Sequence, residues 1–178
     1  MRTIVRKYSV LLVVLAMLII ISAFNQPFGV AVADITLAQL KEMLLVIPPI
    51  FILLGLLDIW VPKETMVKYM GEQSGIKGII LAFLIGSAAA GPLYGAFPVA
   101  AVFMKKGMKF TNILIFIGAW STTKIPMLLF EIASLGAHFA LTRLLIDIVG
   151  IVIIARILTA LTSKQEVEDL YAQAESLL

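Results

Sequence analysis

Residues 78–104 read GIILAFLIGSAAAGPLYGAFPVAAVFM, an apolar stretch without a single charge. It is long enough to lie in a bilayer, whose core of about 30 Å takes about 20 helical residues. Its middle, residues 86–98, holds Gly86, Gly91, Gly95, Pro92 and Pro98. Glycine is a poor helix former and proline removes a hydrogen bond, so this segment is not a straight rod. Two courses are open: a broken helix that crosses, or a hairpin that enters, turns at Gly91–Gly95 and leaves on the same side.

The charges around it decide. The chain has fourteen Lys and Arg residues. Lys124, Arg143 and Arg156 fall inside apolar runs. If residues 78–104 cross, Arg2, Arg6, Lys7, Lys63, Lys68 and Lys77 lie on one side and Lys41, Lys105, Lys106, Lys109 and Lys164 on the other. Six against five is almost no bias. If the stretch doubles back, only Lys41 is left outside. Short cytoplasmic loops are rich in Lys and Arg, which favours the hairpin. Arms of about 10–13 residues reach roughly 15–20 Å at 1.5 Å per residue, enough for mid-membrane. Opened backbone at that depth is tolerated only when packed in protein or facing a watery cavity, so the turn implies a site.

The flanking runs complete the topology. Ser9–Phe24 is expected to be a retained span, with a cleaved signal as the alternative because Ala31-Val32-Ala33 has the A-x-A form. Asn25, Pro27 and Gly29 break it. A second span, about Lys41 to Val61, contains Pro48-Pro49 and should kink or open there, and Trp60 suits the interface at its end. From Pro62 to Gly78 the chain is polar, with Met66, Val67, Tyr69 and Met70 at helical spacing, so a surface helix ending at Gly71 is predicted. Phe110–Leu135 is apolar but interrupted by Trp120-Ser121-Thr122-Thr123-Lys124-Ile125-Pro126, where Pro126 biases Ile125 out of the α region. Phe139–Leu161 is the last span. Ser163-x-x-Glu166 is a capping-box pattern opening a short amphipathic tail. The expectation is an all-α polytopic membrane protein of four transmembrane helices plus a re-entrant broken-helix hairpin, with five spans as the alternative. Residues 1–162 form the membrane domain and 163–178 a cytoplasmic tail.

Composition agrees. The 178 residues are 61% hydrophobic and 14% charged, with a mean hydropathy of +1.07. A soluble domain has about 45–50% apolar and about 25% charged residues. With no Cys and only His138 for a histidine, thiolate chemistry and a zinc cage are excluded, and no cofactor or metal is expected. The net charge of +3 and pI near 9.2 do not indicate nucleic acid, because the basic residues sit between apolar runs. No phosphate-binding loop, G-x-S-x-G or H-E-x-x-H is present, so an enzyme is not expected.

Broken helices near the midplane are the best sequence pointer to a transporter site. The candidate pathway residues are Gly91, Pro92, Tyr94, Gly95 and Pro98 at the first break, and Ser121, Thr122, Thr123, Lys124 and Glu131 at and after the second. A mid-membrane ammonium costs on the order of 2.5–3.5 kcal/mol, so Lys124 should face a partner or a cavity. Glu131, seven residues on, is the partner if the role is structural; otherwise Lys124 lines the path or gates it. Arg143 and Asp147 stand at i,i+4 and form an ion pair or a proton site, with Arg143 snorkelling as the plainer reading.

The runs GEQSGIKGIILAFLIGSAAAGPLYGAFPVAAVFMKKGMKF and FIGAWSTTKIPMLLFEIASLG, within about Leu40–Leu161, resemble the ArsP/YraQ-type permease family. Such prokaryotic inner-membrane permeases often have two related halves, and this chain resembles a half-size member. The resemblance implies that two copies, or a copy and a sister subunit, assemble the pathway, and that Gly91–Pro98 lies on it. Arsenical-exporting members carry cysteines in the corresponding region; here it reads GPLYGAFP, so thiolate binding of trivalent arsenic is not open to this chain. The function expected is a permease subunit moving a small solute, an anion being one candidate, with a non-transporting scaffold or accessory subunit as the alternative. The partners expected are lipid and a small solute, not nucleic acid.

Overall fold

The computed structural model describes residues 8–89 and 91–176; Arg2, Arg6 and Lys7, which enter the charge count, and Ala90 lie outside them. Every element among these residues is helical. In chain order they are α1 (Ser9–Phe24), α2 (Gln26–Trp60), α3 (Lys63–Met70), α4 (Gly75–Ala88), a 3₁₀ turn (Leu93–Gly95), α5 (Ala96–Lys105), α6 (Phe110–Thr122), α7 (Ile125–Leu135), α8 (Ala137–Leu161) and α9 (Lys164–Ser176). Phe110–Leu135 and Ala137–Leu161 are each long and apolar enough to cross a membrane.

The chain divides into two compact units, Met1–Pro48 and Pro49–Leu178. In the first, Asn25 separates α1 from α2, and its side-chain oxygen accepts the Phe28 N–H at 3.2 Å. That bond satisfies a donor left over at the start of α2. The helix that holds the expected second span therefore begins at Gln26, well before Lys41. Pro48-Pro49, where a kink or an opening was expected, fall within this helix. Proline fixes φ at a helical value, which keeps the helix possible, although it removes an N–H and crowds the carbonyl one turn back. Trp60 closes α2 and is 72% exposed.

The second unit is built around α6. α4 runs parallel to it: Asn112 Nδ2 donates to Ser74 Oγ at 3.1 Å near their starts, and Ser87 meets Thr123 near their ends. The approach is close because Gly78, Ala82 and Gly86 form a buried stripe. A Cβ on Gly86 would stand 2.6 Å from the Phe116 carbonyl oxygen and 2.8 Å from the Ala119 Cβ. Small residues at this spacing let helix backbones meet.

After the break the chain returns. α5 leads back to the starting end of α4, where the Lys109 N–H donates to the Met70 carbonyl at 2.9 Å and Asn112 Nδ2 to the same oxygen at 2.9 Å. Lys106 Nζ donates to the Val61 carbonyl at 2.7 Å, and Lys109 pairs with Glu72 at 3.1 Å. Phe103, Phe116 and Trp120 stack edge to face, with centroids 5.1 and 5.5 Å apart. This geometry is worth about 0.5–1.5 kcal/mol per pair beyond burial. α3 ends at Gly71 as predicted, and buries Met66 and Met70 while Val67 and Tyr69 stay exposed.

α8 runs antiparallel along α6 and then α7. Thr159 meets Thr111 at 3.0 Å, Ile151 lies against Gly118, and Arg143 reaches Thr122 and Glu131. The tail helix α9 opens with the reciprocal capping box: Glu166 N–H to Ser163 Oγ at 3.2 Å and Ser163 N–H to Glu166 Oε2 at 2.8 Å. It packs on α5, with Ala174 buried and the Tyr171 hydroxyl donating to the Met108 carbonyl.

Candidate functional site

The two interruptions meet. α4 stops at Ala88, and Gly91 takes a φ of +99°, a conformation glycine adopts without a Cβ penalty. The chain then makes the 3₁₀ turn, closed by the Gly95 N–H to the Pro92 carbonyl at 3.0 Å. α6 stops at Thr122, and Lys124 is extended at φ −58° and ψ 132°. Ile125 already belongs to α7, so the break falls one residue earlier than expected. Pro126 sits in the first turn of α7, where its missing N–H has no helical partner to lose.

A helix that ends inside an apolar layer leaves carbonyls to be satisfied. The hydroxyls at this end bond back within the last turn, onto carbonyls that the helix already uses, that of Ala119 also accepting the Thr123 N–H. Thr122 Oγ1 donates to the Gly118 carbonyl at 3.0 Å and Thr123 Oγ1 to that of Ala119 at 3.1 Å. Because the single Thr123 proton is used this way, Ser87 is the donor in its 2.7 Å bond to Thr123 Oγ1. At the first break, the Gly91 carbonyl accepts from both Trp120 Nε1, at 3.3 Å, and the Lys124 ammonium. Lys124 therefore bridges one break to the other instead of pairing with Glu131, as its i,i+7 spacing had suggested.

Glu131 belongs to a second cluster, two turns along α7 and 6% exposed. Arg143 Nε donates to Glu131 Oε2 at 2.8 Å, its Nη1 to Asp147 Oδ2 at 2.8 Å and its Nη2 to the Thr122 carbonyl at 3.0 Å. One guanidinium thus serves two carboxylates and the last carbonyl of α6. A cation at a helix C-terminus also meets the negative end of its dipole. The Arg143 side chain is 23% exposed and turned onto these three acceptors.

Of the other expected residues, Gly95 and Thr123 are buried, Gly91, Pro92, Pro98 and Thr122 are half-buried, and Tyr94 and Ser121 are exposed. Two participants escaped the sequence reading. Trp120 and Ser87 both bond across the breaks, and both lie within the stretches that drew attention. Their signal was a donor within one helical turn of an interruption. Among the described residues no group of three or more His, Cys, Asp or Glu side chains is placed to hold a metal.

Fold and site together define a helical membrane protein whose span-length apolar segments are interrupted midway and stitched by buried polar groups. The chain belongs to the ArsP_1 family of predicted permeases, whose sequence model matches residues 27–177. The match takes in α9 and leaves out α1. Neither a curated protein nor a solved structure matches the chain. Family membership supports a transporter-type role in a membrane in preference to an enzymatic one.

Proposed function

We propose that this chain is a half-size permease subunit that moves a small anionic solute past the two breaks, Gly91–Pro98 and Ser121–Lys124. It works in the inner membrane of a prokaryote as a multi-pass protein, paired with a second copy or a sister subunit. Residues 78–104 re-enter: they rise to the middle of the bilayer and return to the side they left. The observation that carries this reading is the Lys124 ammonium on the Gly91 carbonyl. It brings a cation to the point where both segments lose their helical bonds, with no carboxylate bonded to it among the described residues.

An anion entering there replaces the carbonyl as the partner of Lys124. Ser121, Thr122, Thr123 and Tyr94 offer hydrogen bonds in place of water, and Gly91 and Gly95 let backbone approach the solute.

The test is swelling of vesicles reconstituted with the full chain, followed by light scattering. Isosmotic potassium acetate, phosphate and sulfate, with valinomycin present, are compared with glycerol and urea. Anion entry is expected to fall at least about tenfold in Lys124→Met, a barrier of about 1.4 kcal/mol, and to persist in Lys124→Arg. Equal entry in parent and Lys124→Met would defeat the role given to Lys124. Swelling in neutral solutes alone would make the solute uncharged, and no swelling in any of them would favour a scaffold.

A further inference from the structure

Arg143, Glu131 and Asp147 carry one positive and two negative charges within direct bonding distance. Glu131 and Asp147 lie on different helices, and their side chains are 8% and 23% exposed. Asp147 is ten residues into the 25-residue α8, about 15 Å from its start at 1.5 Å per residue. A net negative charge at that depth is expensive, and intramembrane carboxylates of this kind are found in proton relays.

Among the described residues no further cation bonds to the cluster. α6 contributes the Thr122 carbonyl and no titratable side chain. At the junction with α7, Lys124 is bonded to Gly91. α7 contributes Glu131 alone. On α8, His138 is exposed one and a half turns before Arg143, and Arg156 lies more than two turns beyond Asp147. Two carboxylates that share one guanidinium leave an excess charge that one proton removes.

We infer that Glu131 and Asp147 share one exchangeable proton around Arg143, which makes this cluster a proton-binding site coupled to the α6–α7 break. The proton passes from water to a carboxylate oxygen and returns the same way; no other bond forms or breaks. Its uptake takes the cluster from −1 to neutral and leaves the guanidinium to one carboxylate and the Thr122 carbonyl. That carbonyl ends α6 two residues before Lys124, so the proton acts on the backbone that presents the ammonium. The coupling rests on the permease reading; proton binding does not.

Infrared difference spectra of the full chain in lipid vesicles, recorded across a pH step, test the site without any solute. A protonated-carboxyl band from an apolar environment is expected at the acid end. Glu131→Gln and Asp147→Asn should each abolish it, because each leaves Arg143 with a single carboxylate in a neutral pair. No such band in the parent, or a band kept in both variants, overturns the site. For the coupling, Ser121→Cys gives one thiol in a chain with no cysteine of its own. Its maleimide labelling, corrected for thiol ionisation with Lys164→Cys, should change severalfold with pH and stop doing so once Glu131→Gln is added. Labelling that is flat in the parent, or equally steep in the variant, removes the coupling. Loss of anion flux with the band intact would sink the permease reading and leave the proton site standing.

Discussion

Gly86 shows how much a single side chain can cost this unit. The nearest atoms to an added Cβ are backbone, the Phe116 carbonyl at 2.6 Å and the Trp120 nitrogen at 3.1 Å, so no rotamer change makes room. Gly86→Ala is expected to destabilise by about 1–3 kcal/mol, as overpacking generally does, read as a lower melting temperature in detergent. Gly55→Ala is its control, since nothing lies within 4 Å of that position. Arg143 is the other sensitive residue. Arg143→Leu leaves Glu131 buried and unpaired, a loss of about 3–5 kcal/mol. Combining it with Glu131→Gln and Asp147→Asn should restore most of the loss in the same melting assay. The i,i+4 pairing of Arg143 with Asp147 could be read from the sequence because both lie on one helix face. The bonds to Glu131 and Thr122 could not, since they depend on α8 folding back along α6 and α7. The same ignorance of the third helix made Lys124 and Glu131 look like partners.

At the scale of elements, the interruptions were legible because Gly, Pro and paired hydroxyls leave few helical options. The packing stripe Gly78-x-x-x-Ala82-x-x-x-Gly86 is equally present in the sequence, but only the approach of α6 gives it a partner. In α2 the two prolines argue for a kink or an opening, while their φ permits the helical assignment that runs through them. The tail helix is the element whose pH response can be worked out. The Ser163 backbone and hydroxyl bonds hold the Glu166 carboxyl below its usual range. A lowered carboxyl contributes stability above its unfolded value and loses it as pH falls through the folded one. The first turn of α9 should therefore fray in acid, seen as lower amide protection factors at residues 164–168; Glu166→Gln should make that protection insensitive to the same acid step, whereas Ser163→Ala, which keeps the backbone N–H, should only reduce the response. At the other extreme, burial chiefly, with help from Glu72, pushes the Tyr171 phenol up to about 12 from 10.0. For an acid raised in the folded state, the folded form disfavours ionisation, so docking of α9 weakens as pH rises past 10. Tyr171→Phe should remove that alkaline sensitivity together with the bond to Met108.

At the scale of the whole Pro49–Leu178 unit, charge and geometry make the same demand. Lys63, Lys68, Lys77, Lys105, Lys106, Lys109 and Lys164 gather where α3, the start of α4, the end of α5 and α9 meet. The opposite turn, Leu135-Gly136-Ala137-His138, has no Lys or Arg. Lysine-rich loops stay in the cytoplasm, so the base should face inward and the α7–α8 turn outward. A straight crossing of residues 78–104 would instead put Lys105 and Glu72 on opposite faces, although the Lys109 N–H bonds the Met70 carbonyl and Lys109 pairs with Glu72. Single cysteines decide between them. Glu72→Cys, Lys105→Cys, Lys164→Cys and Ala137→Cys are preferred to changes at Gly75 and Gly107, whose φ values of +54° and +79° would strain any side chain. In sealed cells a membrane-impermeant maleimide should label position 137 alone, and in inside-out vesicles the other three and not 137. Label reaching Glu72→Cys and Lys105→Cys from opposite faces would mean that the stretch crosses, and the mid-membrane meeting of the two breaks would lose its role as a conduit.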